Sequence, residues 1–374
     1  MMILQDAHCK KGETSLKEAK NILLIAGTYV ATVIGAGFAS GQEILSFFVI
    51  YGRNSILGLL IVLFMFTFGA AFILERVYKS GIDSFGDYML CVSNAWWKRI
   101  FEYLCAVSLL CGFCAMAAGS GELLYGQFGW NRFFGTALMI AVCTAVFLFD
   151  LKGILTLNSL LAPIMTVGLI LLGICAFVFR DDTAFLQFGA IRRLTENWVV
   201  SAVVYGAYNL FTASVILCEM RPLIHKRSTP YLAAGLGAVI LVCIAVVIWA
   251  AIKLYYGKIL LGQMPLFTIA ARQGALIENA YAVIVYLSMF TTAVSCGYGF
   301  MSMLKGFFHT SKPVSILALV LISVPICSFG FEGIVKNIYA AFGYLGLPLI
   351  LFIFADGRRM HKVRICSTRK YRKK

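Results

Sequence analysis

The sequence predicts an all-α integral membrane protein of ten transmembrane helices, arranged as two five-helix repeats of opposite orientation. Three observations predict it. The composition is too apolar for water: of 374 residues, 61% are hydrophobic and 13% charged, with mean hydropathy +0.88. A soluble domain carries about a quarter charged residues. Apolar runs of bilayer-crossing length, about twenty residues, recur along the chain. Two of these runs, the first and the sixth, are interrupted by glycine and polar residues.

Residues 1–20 are polar and lack the short apolar stretch and small-residue cleavage site of a signal peptide, so they read as a cytoplasmic N-terminal segment. The spans follow at roughly 21–50, 55–78, 98–127, 133–150, 153–179, 197–219, 230–256, 277–308, 313–330 and 332–356. The first, third and eighth are long enough to be tilted or broken. Residues 258–274, "KILLGQMPLFTIAARQG", read as a structured loop between spans seven and eight. Residues 357–374, "GRRMHKVRICSTRKYRKK", form a basic tail, and no soluble domain is foreseen.

Lys and Arg set the orientation, because cytoplasmic loops carry their excess. With the N-terminus inside, most of the 32 Lys and Arg fall on the cytoplasmic side, among them Lys17, Lys20, Arg76, Lys79, Lys98, Arg99, Arg221, Lys226 and the tail. Both termini are then cytoplasmic, as an even number of spans requires. The net charge of +15 thus reads as an anchor facing anionic lipid, not as a nucleic-acid surface. The twelve cysteines lie mostly in apolar runs (Cys105, Cys143, Cys175, Cys243), where Cys behaves as a small hydrophobe. "CGFC", Cys111 to Cys114, has no βαβ context and reads as close helix contact.

Ten spans divide into a first repeat at about 21–179 and a second at about 197–356. An odd number per half inverts the second half relative to the first. Spans one and six then match. Span one is interrupted by "GAG", Gly35 to Gly37, and span six by "VYGAYNLFT", Val204 to Thr212. Paired interruptions of this kind point to a binding site near the bilayer midplane.

Three glycines in "GAGFASG" suggest a dinucleotide loop, but such a loop needs a strand before it and a helix after it. Here the glycines lie inside a membrane-length apolar run. Gly costs about 1 kcal/mol in a helix relative to Ala, so the cluster is a place to unwind. Unwound backbone in a membrane must line a cavity or lie against protein. The freed N–H groups of Ala36 and Gly37 can hold a carboxylate, and the freed carbonyls near Ala31 and Ile34 a cation.

Span six supplies Tyr205, Gly206, Tyr208 and Asn209, the side-chain wall of a pocket. Span eight contains "SMFTTAVSCGYG", Ser288 to Gly299, with hydroxyls at Thr291, Thr292 and Ser295. Hydroxyls beside unwound carbonyls make an all-oxygen site of the kind hard cations prefer. Glu43 follows the break by about two turns and is read as a gate or proton site, with a helix-end partnership to Arg53 as the competing reading. Glu122 lies near the outer end of span three, and Glu219 and Glu278 are read as interfacial. His8, His225, His309 and His361 all lie at or beyond span ends, no catalytic constellation is found, and no enzyme activity is expected.

"GTYVATVIGAGFASGQEI", Gly27 to Ile44, resembles the start of the YkvI-type amino acid permeases of the amino acid–polyamine–organocation superfamily, whose shared architecture is the leucine-transporter fold. The resemblance implies that the substrate carboxylate binds at the break of span one, on Ala36 and Gly37, with Gly35 beside them among the substrate-binding residues. It implies a sodium site built from Ala31 and Ile34 with Thr291, Thr292 and Ser288, and a pocket wall of Tyr205, Gly206, Tyr208 and Asn209. Sodium symporters of this fold often carry an Arg after the span-one break, where this chain has "SGQE". Some proton-coupled relatives place a Lys in span five at the sodium position, and the nearby Lys here is Lys152. The expected function is a secondary active symporter moving an amino acid or similar zwitterion across a bacterial cytoplasmic membrane by alternating access. Sodium or protons drive it, with no cofactor beyond that ion; the partners expected are the small-molecule substrate and the lipid bilayer, not nucleic acid. The competing expectation is a nutrient sensor, similar to a germinant-receptor subunit, that binds without transporting.

Overall fold

The computed structural model describes residues 2–149, 151–178, 196–255 and 264–359. Among the described residues the chain is helical throughout. The order is α1 (Met2–Val33), α2 (Ala36–Ala39), α3 (Gln42–Phe47), α4 (Ile56–Ser80), α5 (Phe85–Val92), α6 (Ala95–Phe128) and α7 (Arg132–Phe147). Then come α8 (Leu151–Val178), α9 (Trp198–Cys218), α10 (Thr229–Tyr255), α11 (Pro265–Arg272), α12 (Ala275–Phe308), α13 (Lys312–Cys327) and α14 (Gly330–Arg359).

Helix ends follow the local sequence. Asn94, Asn131 and Asn197 each accept a backbone N–H from Trp97, Phe133 and Val199, and so start α6, α7 and α9. Six helices are long and apolar enough to cross a membrane: α4, α6, α8, α9, α10 and α12. Shorter apolar helices lie at Gln42–Tyr51, Arg132–Phe147, Lys312–Cys327 and Tyr344–Asp356. This is a multi-pass membrane protein.

The outer face is apolar, unlike that of a soluble protein. Large apolar side chains such as Phe64, Phe133, Leu160, Leu171, Leu321 and Leu351 face outward, while Thr28, Asn158, Ser201, Ser214, Ser288 and Thr291 are fully buried. A bilayer hides the first group, and the second group needs hydrogen-bond partners inside.

The helix pairs come in mirrored sets. α1 packs on α8, and α9 on α14; α6 on α7, and α12 on α13; α4 on α9, and α10 on α1. α4 also packs on α10, and α6 on α12. The longest helices, α6 and α12, have 34 residues each and run unbroken side by side.

The interruption of the first span is present. α1 stops at Val33, and α2 and α3 are separated by Gly41, whose φ of +80° is the left-handed conformation that glycine adopts without strain.

Span six corrects the expectation of two broken helices. α9 runs continuously from Trp198 to Cys218. Gly206 there lets α4 approach closely: a Cβ on it would lie 2.8 Å from the Sδ and Cε of Met65. The Asn209 side chain donates back to the Tyr205 carbonyl at 3.0 Å, within the helix. One glycine costs only about 1 kcal/mol, too little to open a helix that the lipid obliges to keep its hydrogen bonds.

Other boundaries also shift. The polar N-terminal segment is helical, because α1 begins at Met2. The loop foreseen at 258–274 contains α11, while residues 256–263 lie outside the described residues, as do 360–374 of the basic tail. The Lys152 side chain lies outside them too.

A buried ion pair ties α4 to α14. The Arg76 guanidinium donates from Nε to Asp356 Oδ2 at 2.7 Å and from Nη2 to Oδ1. Both residues are buried. Asp356→Ala leaves the Arg76 charge without its counter-ion, and the expected cost is about 3–5 kcal/mol. A thermal unfolding curve in detergent measures it, and the paired change of Arg76 and Asp356 to leucine is expected to recover most of the loss.

Candidate functional site

The site begins at the end of α1. In a continuous helix the Gly35 N–H would donate to the Ala31 carbonyl. It donates to Val33 instead, at 2.9 Å, which frees the Ala31 oxygen. The Thr292 hydroxyl of α12 takes that oxygen at 3.2 Å and the Ile34 oxygen at 3.0 Å. Two backbone carbonyls and a hydroxyl thus converge, fully buried or nearly so. Gly35 permits the approach, since a Cβ there would already touch Thr292 at 3.4 Å. Three oxygens of neutral groups suit a monovalent cation better than a metal with dedicated charged ligands. No cluster of three His, Cys, Asp or Glu side chains that could hold a metal occurs among the described residues.

The neighbouring hydroxyls point elsewhere. Thr291 donates to the Ser288 carbonyl at 3.1 Å and faces the Met165 sulfur at 3.5 Å. The Ser288 hydroxyl donates back to Ile284 at 2.8 Å. Adjacent helical residues sit about 100° apart, so Thr291 and Thr292 do not address α1 together. Of the five residues foreseen for the ion site, Ala31, Ile34 and Thr292 are brought together. The hydroxyls of Thr291 and Ser288 are not part of that cluster.

A second polar cluster adjoins the first. Asn158 of α8 donates from Nδ2 to the Ser295 hydroxyl at 2.8 Å, and Thr32 of α1 meets the same oxygen at 3.2 Å. Sequence reasoning missed Asn158. The signal was there: an amide inside the apolar run "LTLNSLLAP" of span five.

Gly35, Glu43, Met116, Tyr208, Asn209 and Thr292 line a small cavity of about 30 Å³ beside the break. That is room for a water or two, well short of an amino acid. Ala36 and Gly37 do not line it, and the Ala36 N–H points at the Met116 sulfur at 3.3 Å. Tyr205 and Gly206 also stand off the cavity. The Tyr205 ring packs against Phe47 and Phe48, with centroids 5.2 Å away in each case, and its hydroxyl lies beside the Glu43 carboxyl. Glu43 is 3% exposed. No cation within ion-pair distance of it is found among the described residues, and the Arg53 side chain lies outside them.

The segment α1–α3 is tied to its neighbours on both sides of the break. On one side Tyr281 donates to the Ala39 carbonyl at 2.5 Å, and the Leu266 N–H of α11 donates to Ser40 at 3.0 Å. On the other, Asn21 donates to the Leu223 carbonyl at 3.1 Å, and Glu18 accepts from the Thr229 hydroxyl. Glu122, foreseen near the outer end of span three, pairs with Arg132 at 2.8 Å.

No family model matches the sequence. Two proteins of Bacillus subtilis (strain 168) are similar over nearly their whole length. The uncharacterized protein YyaD is 28% identical over 334 residues, covering 89% of this chain and 94% of its own. The uncharacterized membrane protein YkvI is 24% identical over 326 residues, covering 87% and 93%. Among solved structures, MhsT in complex with L-phenylalanine superposes with a TM-score of 0.66 at 14% identity, covering 90% of this chain and 91% of that one. A manganese transporter of Eremococcus coleocola gives 0.62 at 14%, covering 88% and 78%. A Na+-coupled sialic acid symporter gives 0.61 at 14%, covering 89% and 78%. The chain is thus similar to YkvI and YyaD, and it has the leucine-transporter fold.

Proposed function

We propose that the protein is a secondary active transporter, a symporter that moves an amino acid or similar zwitterion by alternating access. The observation that carries this reading is the Thr292 hydroxyl seated on the Ala31 and Ile34 carbonyls freed by the α1 break, beside a small cavity. A helix broken against a hydroxyl-bearing neighbour in this way is how such folds hold a coupling ion next to a substrate.

The ten spans are α1 with its continuation α2–α3, then α4, α6, α7 and α8, and in the second repeat α9, α10, α12, α13 and α14. The mirrored helix pairs support five plus five. The Lys and Arg distribution supports both termini in the cytoplasm, with the chain in a bacterial cytoplasmic membrane. Spans one, two, six and seven would rock against three, four, eight and nine.

In this reading the ion, sodium by preference and a proton otherwise, sits at Ala31, Ile34 and Thr292. The substrate enlarges the cavity from the side of Gly35, Tyr208 and Asn209. The backbone of Ala36 and Gly37 faces its carboxylate, Tyr205 and Gly206 back the wall, and Glu43 is a gate or proton site. A cavity this small supports a state that must open to admit a substrate.

A thermal-shift screen of the purified protein against the amino acids, with and without sodium, tests the proposal. Ligands that bind only the folded protein raise its unfolding temperature. A subset of amino acids is expected to stabilise it, and sodium to enhance their effect. No stabilisation by any amino acid at any sodium concentration contradicts it.

A further inference from the structure

Glu43 remains unexplained by a sodium site made of neutral oxygens. Its carboxyl is buried, lines the cavity and has one oxygen, Oε2, without a hydrogen-bond partner. Among the described residues no Lys, Arg or His lies within ion-pair distance. A carboxylate in the membrane interior without a counter-ion is costly, and such residues face a cavity and take a partner there. The side chain is also held in one place. It folds back from α3 over Gly37, so closely that a Cβ on Gly37 would lie 2.9 Å from its Cγ and 3.0 Å from its Cδ. The Tyr205 hydroxyl flanks it. The fold thus sets a carboxyl group against the break where a substrate must dock.

We infer that Glu43 is the counter-ion for a primary ammonium group of the transported molecule, bound in the cavity at the break of span one. The inference rests on the transporter reading and names the chemistry of its ligand. A primary ammonium supplies up to three N–H donors on one small charge, which suits an open carboxylate oxygen beside the Tyr208 ring and the Asn209 amide. Sodium keeps its own oxygens at Ala31, Ile34 and Thr292, so the two cations do not compete for one set of ligands. The ammonium can belong to an amino acid or to a simple amine, and both present the same group to Glu43.

Thermal-shift titrations separate these cases. The probes are the protein-forming L-amino acids, their decarboxylated amines and their N-acetyl derivatives. At least one ammonium-bearing probe is expected to stabilise the wild type, and its N-acetyl derivative to bind at least about 100-fold more weakly. Stabilisation by the amino acid alone identifies a zwitterionic ligand, and stabilisation by the amine as well identifies the ammonium as the whole anchor. Glu43→Gln is expected to lose the same binding, while sodium still shifts its unfolding as in the wild type. Glu43→Asp, which keeps the charge, is expected to retain part of it. Equal binding of the N-acetyl derivatives, unchanged binding by Glu43→Gln, or no ammonium-bearing ligand for the wild type overturns the inference. Gln mimics a protonated acid, so unchanged binding in that variant would assign Glu43 to a proton instead. Uptake of the same probes into proteoliposomes is read separately. Ammonium-selective binding without accumulation sinks the transporter reading and leaves this inference standing; accumulation without ammonium selectivity does the reverse.

Discussion

Thr292→Ala is expected to remove the sodium dependence of ligand binding. The hydroxyl bridges both carbonyls left by the α1 break, at 3.2 and 3.0 Å from Ala31 and Ile34. Its loss leaves two backbone oxygens, too few to replace the water that a small cation must shed. The expected weakening of sodium binding is at least about tenfold, or about 1.4 kcal/mol. Thr291→Ala is the internal control, because its hydroxyl is spent on Ser288 and faces Met165. It is expected to leave most of the sodium response intact. Titrating sodium against unfolding temperature for both variants measures the difference, and an equal loss from the two would move the ion toward Thr291.

Gly37→Leu is expected to abolish substrate binding while the protein still inserts and folds. Gly37 is buried, and even a single carbon added there meets the Glu43 side chain. The extra branch must push that carboxyl off the break or fill the space a substrate needs. The expected loss of uptake is at least about 100-fold, or about 2.7 kcal/mol of binding. Gly37→Ala, which strikes the same atoms with less bulk, is expected to fall between. Monodisperse elution in detergent with preserved helicity checks folding, and uptake that survives the leucine would make the break structural only.

Much of this fold was legible because lipid imposes a simple rule: each crossing needs a long apolar run. The ends of α4, α7, α9, α10 and α12 fall within a few residues of the runs read from the sequence. The break at Gly35 was equally legible, since glycines cluster there and polar "SGQE" follows before the apolar run resumes. Span six misled because the same residue type serves two purposes. Gly206 makes room for Met65, and nothing within "VYGAYNLFT" distinguishes room from unwinding. Thr291 and Thr292 look alike in sequence, and only the rotation of α12 decides which of them meets α1. Asn158 went unread because its partner, Ser295, lies 137 positions away. The cavity lining was partly legible: Tyr208 and Asn209 reach it, whereas Tyr205 stands off it with its hydroxyl beside Glu43.

The central claim is that the broken α1 and Thr292 couple an ion to the movement of a small solute. The most direct measurement is uptake of a labelled amino acid, chosen from the stabilising ligands, into proteoliposomes under an imposed inward sodium gradient, with a proton gradient as the parallel arm. The account predicts accumulation above the external concentration, collapse of that accumulation when the gradient is dissipated, and its loss in Thr292→Ala. Tight binding of the amino acid with no accumulation under either gradient would contradict it, and would describe a protein that senses its ligand without carrying it.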